Sequence, residues 1–258
     1  RADSSVQVFQ LSGPGAKPAQ LTRALDPIGS AEYPPTASDY FVFLRDEGGN
    51  ERYRLHRFDT ARSAAVPLSD PTKRTGGGAW SASGDTLYYT AVSAGQVTES
   101  RSLVTEVRAI DPRRVDSDRL VASLPGIGWS IAAASRDGKS LVVTEFHSAN
   151  ESFLWQLDIE TAAKRLLTPR REVGPVAYRG AAFTPDGRDL YALSDRASEF
   201  TRLVSINMET RAERVVARHD WSVVSFDLSE DGKYLAYTTK DDGFSALHVL
   251  DTAAQKPM

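Results

Sequence analysis

Residues able to carry covalent catalysis are few in this chain, and their spacing argues against it. A hydrolase serine sits in Gly-x-Ser-x-Gly, where small flanks permit a strained strand-to-helix turn. The nearest match is Gly128-Trp129-Ser130-Ile131-Ala132, which ends in Ala and leads into Ser135-Arg136-Asp137-Gly138, a turn signal. Ser130 is therefore expected on a strand. With no cysteine, the chain has no thiol nucleophile, thiolate metal site or disulfide. His56, His147, His219 and His248 form no His-Glu-x-x-His pair. His56 and His248 fall at similar points of two alternating runs and read as sheet residues; His219-Asp220-Trp221 reads as a structural loop. Gly76-Gly77-Gly78 lacks the Lys-Ser/Thr of a phosphate-binding loop and reads as a crossing between repeat units. The sequon Asn150-Glu151-Ser152 is short enough to arise by chance. No metal or cofactor is expected.

Carboxylates occur in pairs: Asp46-Glu47, Asp195 with Glu199, and Asp241-Asp242. Glycoside hydrolysis needs two carboxyls at a set separation across a cleft. Sequence spacing does not give that separation, and solvated loop charge is the plainer reading.

The composition is that of a globular protein: 258 residues, 41% hydrophobic, 25% charged, net charge −3. No basic excess marks a nucleic-acid footprint, and no apolar run approaches membrane-spanning length. The polar start, Arg1-Ala2-Asp3-Ser4, lacks an initiator Met and reads as the edge of a processed or excised piece. The expectation is a soluble protein, cytoplasmic or periplasmic.

One pattern recurs along the chain: a small or polar residue, an Asp-Gly-type turn, then an apolar, aromatic-rich run. It appears at Ser83-Gly84-Asp85, Arg136-Asp137-Gly138, Pro185-Asp186-Gly187 and Glu230-Asp231-Gly232, with a degenerate copy at Ala37-Ser38-Asp39. Gly84, Gly138, Gly187 and Gly232 stand 54, 49 and 45 residues apart, close to the propeller-blade period of about 40–50. Asp-Gly suits a two-residue hairpin. Runs ending on Asp or Asn follow, at Tyr53–Asp59, Phe153–Asp158, Leu203–Asn207 and Leu247–Asp251, and read as third strands. The reading is all-β: a β-propeller of four-stranded antiparallel blades. Full blades are expected at 33–74, 78–124, 129–170 and 178–218. Partial blades fill 1–32 and 222–258, the last stopping after its third strand, which makes an incomplete arc. A β-sandwich has no reason to keep such a period.

In an up-and-down blade, second-to-third turns and blade crossovers share one end. The loops at 45–52, 93–102, 147–152, 195–201 and 240–245 are expected to be the longer ones and to form the working face. They offer Arg45, Asp46, Glu47, Asp195, Arg196, Glu199 and Phe200 as substrate-binding candidates; an Arg or Glu there suits a peptide carboxylate or amine.

Four stretches resemble the prolyl oligopeptidase family of serine peptidases, on its dipeptidyl and acylaminoacyl peptidase side. They are Arg45–Leu55 followed by Arg57-Phe58-Asp59; Ser194-Asp195-Arg196 with Glu199–Leu203; Trp221–Gly232; and Asp242–Leu247. The resemblance implies a propeller of seven or eight blades stacked on a C-terminal α/β-hydrolase domain of the same polypeptide. That domain holds the Ser-Asp-His triad, and the propeller limits entry to peptides. Here the blade count is lower and no triad is present. Two other readings are a non-catalytic TolB-like protein-binding propeller and a propeller glycosidase or lactonase.

Overall fold

The apolar runs after the turn signals have two sequence forms, and the computed structural model shows why. Where both faces of a strand are covered, the run is continuous: Leu141, Val142 and Val143 are each 0% exposed. Where one face is open, buried positions alternate with more accessible ones, as from Tyr234 to Thr239. The structure describes residues 5–93, 103–170, 174–254 and 256–257. The chain divides into two compact units, 1–127 and 128–258.

The first unit opens on a short antiparallel pair, β1 (Phe9–Gln10) and β2 (Ala19–Gln20). A first blade follows: β3 (Ile28–Glu32), β4 (Tyr40–Arg45), β5 (Arg54–Asp59) and β6 (Ala64–Pro67). The second is β7 (Lys73–Trp80), β8 (Leu87–Ser93), β9 (Val104–Asp111) and β10 (Arg114–Pro125). Tyr40, Val42 and Leu55 of the first blade pack with Trp80, Leu87, Tyr89 and Ile110 of the second. Ile28, Phe41, Phe43 and Phe58, on the first blade's other side, pack with Val8 and Leu21 from the β1–β2 segment. Each such large side chain contributes about 1.5–3 kcal/mol on burial.

The second unit has three blades. These are β11 (Trp129–Ala134), β12 (Ser140–Ser148), β13 (Glu151–Asp158) and β14 (Lys164–Leu166); β15 (Tyr178–Phe183), β16 (Asp189–Ser194), β17 (Arg202–Asn207) and β18 (Glu213–Ala217); and β19 (Val223–Leu228), β20 (Tyr234–Asp241), β21 (Phe244–Asp251) and β22 (Lys256–Pro257). One apolar layer joins the third and fourth blades through Leu154, Leu167, Tyr178 and Leu190. Another joins the fourth and fifth through Tyr191, Leu203, Leu235 and Leu250. The fold is an all-β propeller architecture, with sequential strand order in every blade.

Several sequence expectations need correction. The fifth blade does not stop at its third strand, because Lys256–Pro257 pairs with Leu250 and Asp251 as a short fourth. The first blade begins at Ile28, ahead of residue 33, and the second at Lys73, ahead of residue 78. Gly76-Gly77-Gly78 lies inside β7 rather than between blades, at a bulge between Thr75 and Gly78. A Cβ on Gly76 would sit 2.4 Å from Thr90 Oγ1, and one on Gly78 1.7 Å from the Tyr88 carbonyl oxygen.

In the third and fifth blades the turn lengths reverse the expectation, while in the first and fourth the second-to-third loops are the longer, as expected. The Asp-Gly motif closes a four-residue loop, not a two-residue hairpin. In the third blade the Ser135 amide donates to the Ser140 carbonyl at 2.8 Å, and the Gly138 amide to the Ser135 carbonyl at 3.1 Å. Gly138 has φ 69°, the left-handed value that makes glycine the least strained choice. The two-residue turns lie at the other end. Ser148 pairs with Glu151 across Ala149-Asn150, and Asp241 pairs with Phe244 across Asp242-Gly243. Asp242 and Gly243 have φ 44° and 88°, as a type I′ turn requires. The 147–152 and 240–245 segments are thus mostly strand; the 46–53 and 195–201 segments are true loops. Residues 94–102 of the expected loop at 93–102 lie outside the described residues.

Candidate functional site

The loop after β4 is held from inside by its own carboxylate. Asp46 is 4% exposed, and its Oδ2 accepts the Glu51 amide at 3.1 Å. That pins a segment with positive φ at Gly48, Gly49 and Glu51. Asp46 Oδ1 is buried without a partner. Arg45 pairs with Arg54 across β4 and β5. The Nε atoms of both arginines are buried and unpartnered, while Arg54 gives one terminal nitrogen to the Ser69 carbonyl at 3.2 Å and another to Glu47 at 3.6 Å. Glu47 is exposed, so that pair is weak. Two guanidinium groups beside a pinned loop can take a carboxylate through paired N–H donors.

In the second unit, Asp195 Oδ1 accepts the Ala177 amide at 2.8 Å, tying the loop after β16 to the residue ahead of β15. Arg196 reaches Glu213 at 3.9 Å, and Glu213 accepts the Tyr178 hydroxyl at 2.8 Å. Tyr178 is fully buried; burial and then the Glu213 charge push its phenol well above the usual range. Arg202, also buried, donates to the Arg196 carbonyl. Glu199 is exposed, and Phe200 packs on Trp221 with ring centroids 6.3 Å apart at 44°.

Asp46 and Asp195 therefore support their loops. Glu47 and Glu199 are accessible, and Arg54, Arg196 and Arg202 direct donors at backbone carbonyls or carboxylates. Arg45, Asp46 and Glu47 belong to the first unit; Asp195, Arg196, Glu199 and Phe200 belong to the second. Ser130 lies on β11, paired with Thr144, and is no elbow. Among the described residues, no group of three or more His, Asp and Glu could hold a metal ion, and no helix is long and apolar enough to cross a membrane.

Two clusters were not foreseen. Glu145 accepts Trp155 Nε1 at 2.8 Å and Arg170 at 2.5 Å, and lies 3.2 Å from His147 Nε2. Burial opposes its charge, but the donors Trp155, His147 and Arg170 prevail and hold the carboxyl below its ordinary range. Lys164 caps Trp129 and Trp155 at 4.5 and 4.8 Å. In the fifth blade, His219 Nε2 meets the Tyr237 hydroxyl at 3.1 Å, and its ring centroid lies 4.6 Å from that of His248. Desolvation, then His248, lowers the His219 pKa. His56, by contrast, lies within the sheet as expected, stacked on Phe43 at 5.0 Å with Nδ1 3.1 Å from the Arg54 carbonyl oxygen.

Solved structures share this fold at low identity. A prolyl endopeptidase matches with TM-score 0.75 at 17% identity, over 98% of this chain and 38% of that one. TolB from Acinetobacter baumannii matches with TM-score 0.65 at 14% identity, over 99% of this chain and 60% of that one. An oligogalacturonate lyase in complex with manganese matches with TM-score 0.77 at 12% identity, over 98% of this chain and 69% of that one. The chain thus spans less than half the length of the prolyl endopeptidase it matches. No curated protein matches the sequence. The family model for the prolyl oligopeptidase N-terminal beta-propeller domain matches residues 27–257, nearly the whole described blade array. The chain belongs to the prolyl oligopeptidase family, as its N-terminal β-propeller.

Proposed function

We propose that this propeller limits the access of peptide substrates to a C-terminal α/β-hydrolase domain of the same polypeptide, and that the complete protein is a serine-type peptidase. The observation that carries the reading is the family match over residues 27–257. Loops tied to the fold by Asp46 in the first unit and Asp195 in the second suit fixed rather than moving contacts with a substrate. The second-to-third loops of each unit carry the side chains that would meet an entering peptide: Arg45 and Glu47 in the first, on a loop held by Asp46, and Arg196, Glu199 and Phe200 in the second, on a loop held by Asp195.

The test is a substrate series on the complete polypeptide, with one scissile sequence placed in a short peptide and in a long unstructured protein. Cleavage confined to the short substrate supports the gate. Equal kcat/KM for both overturns it. The second reading, a protein-binding propeller without catalysis, is favoured only by the TolB likeness. A coding sequence that continues into a segment with Gly-x-Ser-x-Gly separates the two.

A further inference from the structure

Of the three consecutive glycines in β7, the fold explains two. A side chain on Gly76 would strike Thr90, and one on Gly78 would strike the Tyr88 carbonyl. Gly77 has neither constraint: an added Cβ meets nothing within 4 Å, and its φ is not positive. A glycine inside a strand weakens the strand, and often marks the close approach of a ligand or another backbone. Here the space beside Gly77 is a cavity of about 190 Å³ between the inner strands of the first and second blades.

Its lining is largely apolar, with polar side chains at Ser30, Glu32 and Tyr89. Val42, Leu44, Leu55, Leu87 and Tyr89 wall it, and the Tyr89 hydroxyl is engaged with Asp118 at 2.9 Å. Glu32 also lines it. Register sets its side: Glu32 pairs with Val42 across β3 and β4, and Val42 packs toward the second blade. Residues directly opposite on paired strands share a face. The Glu32 carboxylate makes no ion pair or hydrogen bond with any described residue. It is reachable by solvent, yet burial raises its pKa, as befits a side chain in a concavity. The carboxylate thus lacks a cation, and the cavity beside it is sized for a hydrocarbon group; a cavity of about 150 Å³ holds a benzene ring.

We infer that this cavity binds an apolar group carrying a primary ammonium, the hydrocarbon between Val42 and Leu87 and the ammonium on Glu32. Free alkylamines and the N-terminal residue of a peptide share that chemistry. The site does not depend on the access-limiting role, and its test needs no hydrolysis.

The experiment is calorimetric or ligand-observed NMR titration of the purified chain with isoamylamine, leucinamide, Leu-Ala-Ala and N-acetyl-leucinamide. Isoamylamine and leucinamide are expected to bind in the millimolar range, and N-acetyl-leucinamide not to bind. Leu-Ala-Ala binding as well as leucinamide identifies a peptide terminus; its exclusion identifies a small free amine. Glu32→Gln should weaken amine binding roughly tenfold. Gly77→Leu, which fills the cavity, should abolish binding with an unchanged melting curve. Equal binding of the amine and its acetylated form, no binding by the wild type, or wild-type affinity in Glu32→Gln overturns the assignment. Should Gly77→Leu fail to fold, the exposed Glu32→Gln change still decides.

Discussion

Ser135 Oγ donates to Asp137 Oδ1 at 2.6 Å and accepts the Ser140 amide at 2.9 Å, so one hydroxyl joins the turn aspartate to the start of the next strand. Thr184 with Asp186 and Ser229 with Asp231 repeat the arrangement. In the second blade the order changes to Gly-Asp, and Asp85 Oδ1 collects the hydroxyls of Ser81, Ser83 and Thr86. Ser135→Ala should lower stability by about 1 kcal/mol, read as a shift of the denaturant midpoint. An unchanged midpoint would remove the hydroxyl from the turn's energetics.

Turn glycines should differ in cost. Gly138→Val meets only backbone strain, worth roughly 1–3 kcal/mol, because a Cβ there has nothing within 4 Å. Gly232→Val adds a clash with Pro185, whose Cγ lies 2.1 Å from the added Cβ. Thermal melting should rank Gly232→Val as clearly the less stable; equal losses would refute the steric part.

His56 should give a pH-dependent stability. It is 3% exposed, and desolvation lowers its pKa from 6.5 to about 4, against the Arg54 carbonyl contact. The unfolded chain takes up the proton first, so this contribution is complete above pH 6.5 and is lost as pH falls toward 4. The expected loss is on the order of 1–3 kcal/mol after allowing for screening. Urea melts at pH 5 and 7 should show it, and His56→Phe should flatten the difference. The same slope in the variant would assign the effect elsewhere.

The 258-residue chain alone should hydrolyse no aminoacyl or peptidyl chromogenic substrate. Ser130 is tied into the β11–β12 ladder without an elbow. Turnover that disappears with Ser130→Ala would overturn the assignment.

Asp46→Ala should free the loop after β4. Removing the acceptor of the Glu51 amide costs about 1–2 kcal/mol and should speed hydrogen exchange at Glu51. Unchanged exchange would mean that the glycines alone set this loop.

The blades were legible because period and turn chemistry are local: the Asp-Gly spacing and the third-strand runs ending on Asp or Asn need no distant partner. The turn lengths were not. Asp-Gly in Asp242-Gly243 makes a two-residue turn, whereas in Asp137-Gly138 it closes a longer loop, because Ser135 supplies a hydroxyl acceptor for the strand beyond. The candidate site was legible as a set of loops but not as roles. Asp46 and Asp195 look like solvated acids until their backbone donors, Glu51 and Ala177, are seen. Glu145 was missed because Trp155 and Arg170 reach it only through strand pairing and crossover.

Every ladder in the five blades joins strands that are neighbours along the chain. Only short loops must close before pairing is rewarded, so nucleation is cheap and any blade can begin the process. During synthesis a hairpin can pair before the next blade has been made. Under native-state exchange, opening should then proceed in blade-sized steps, with the interblade layers around Leu154 and Leu190 opening last.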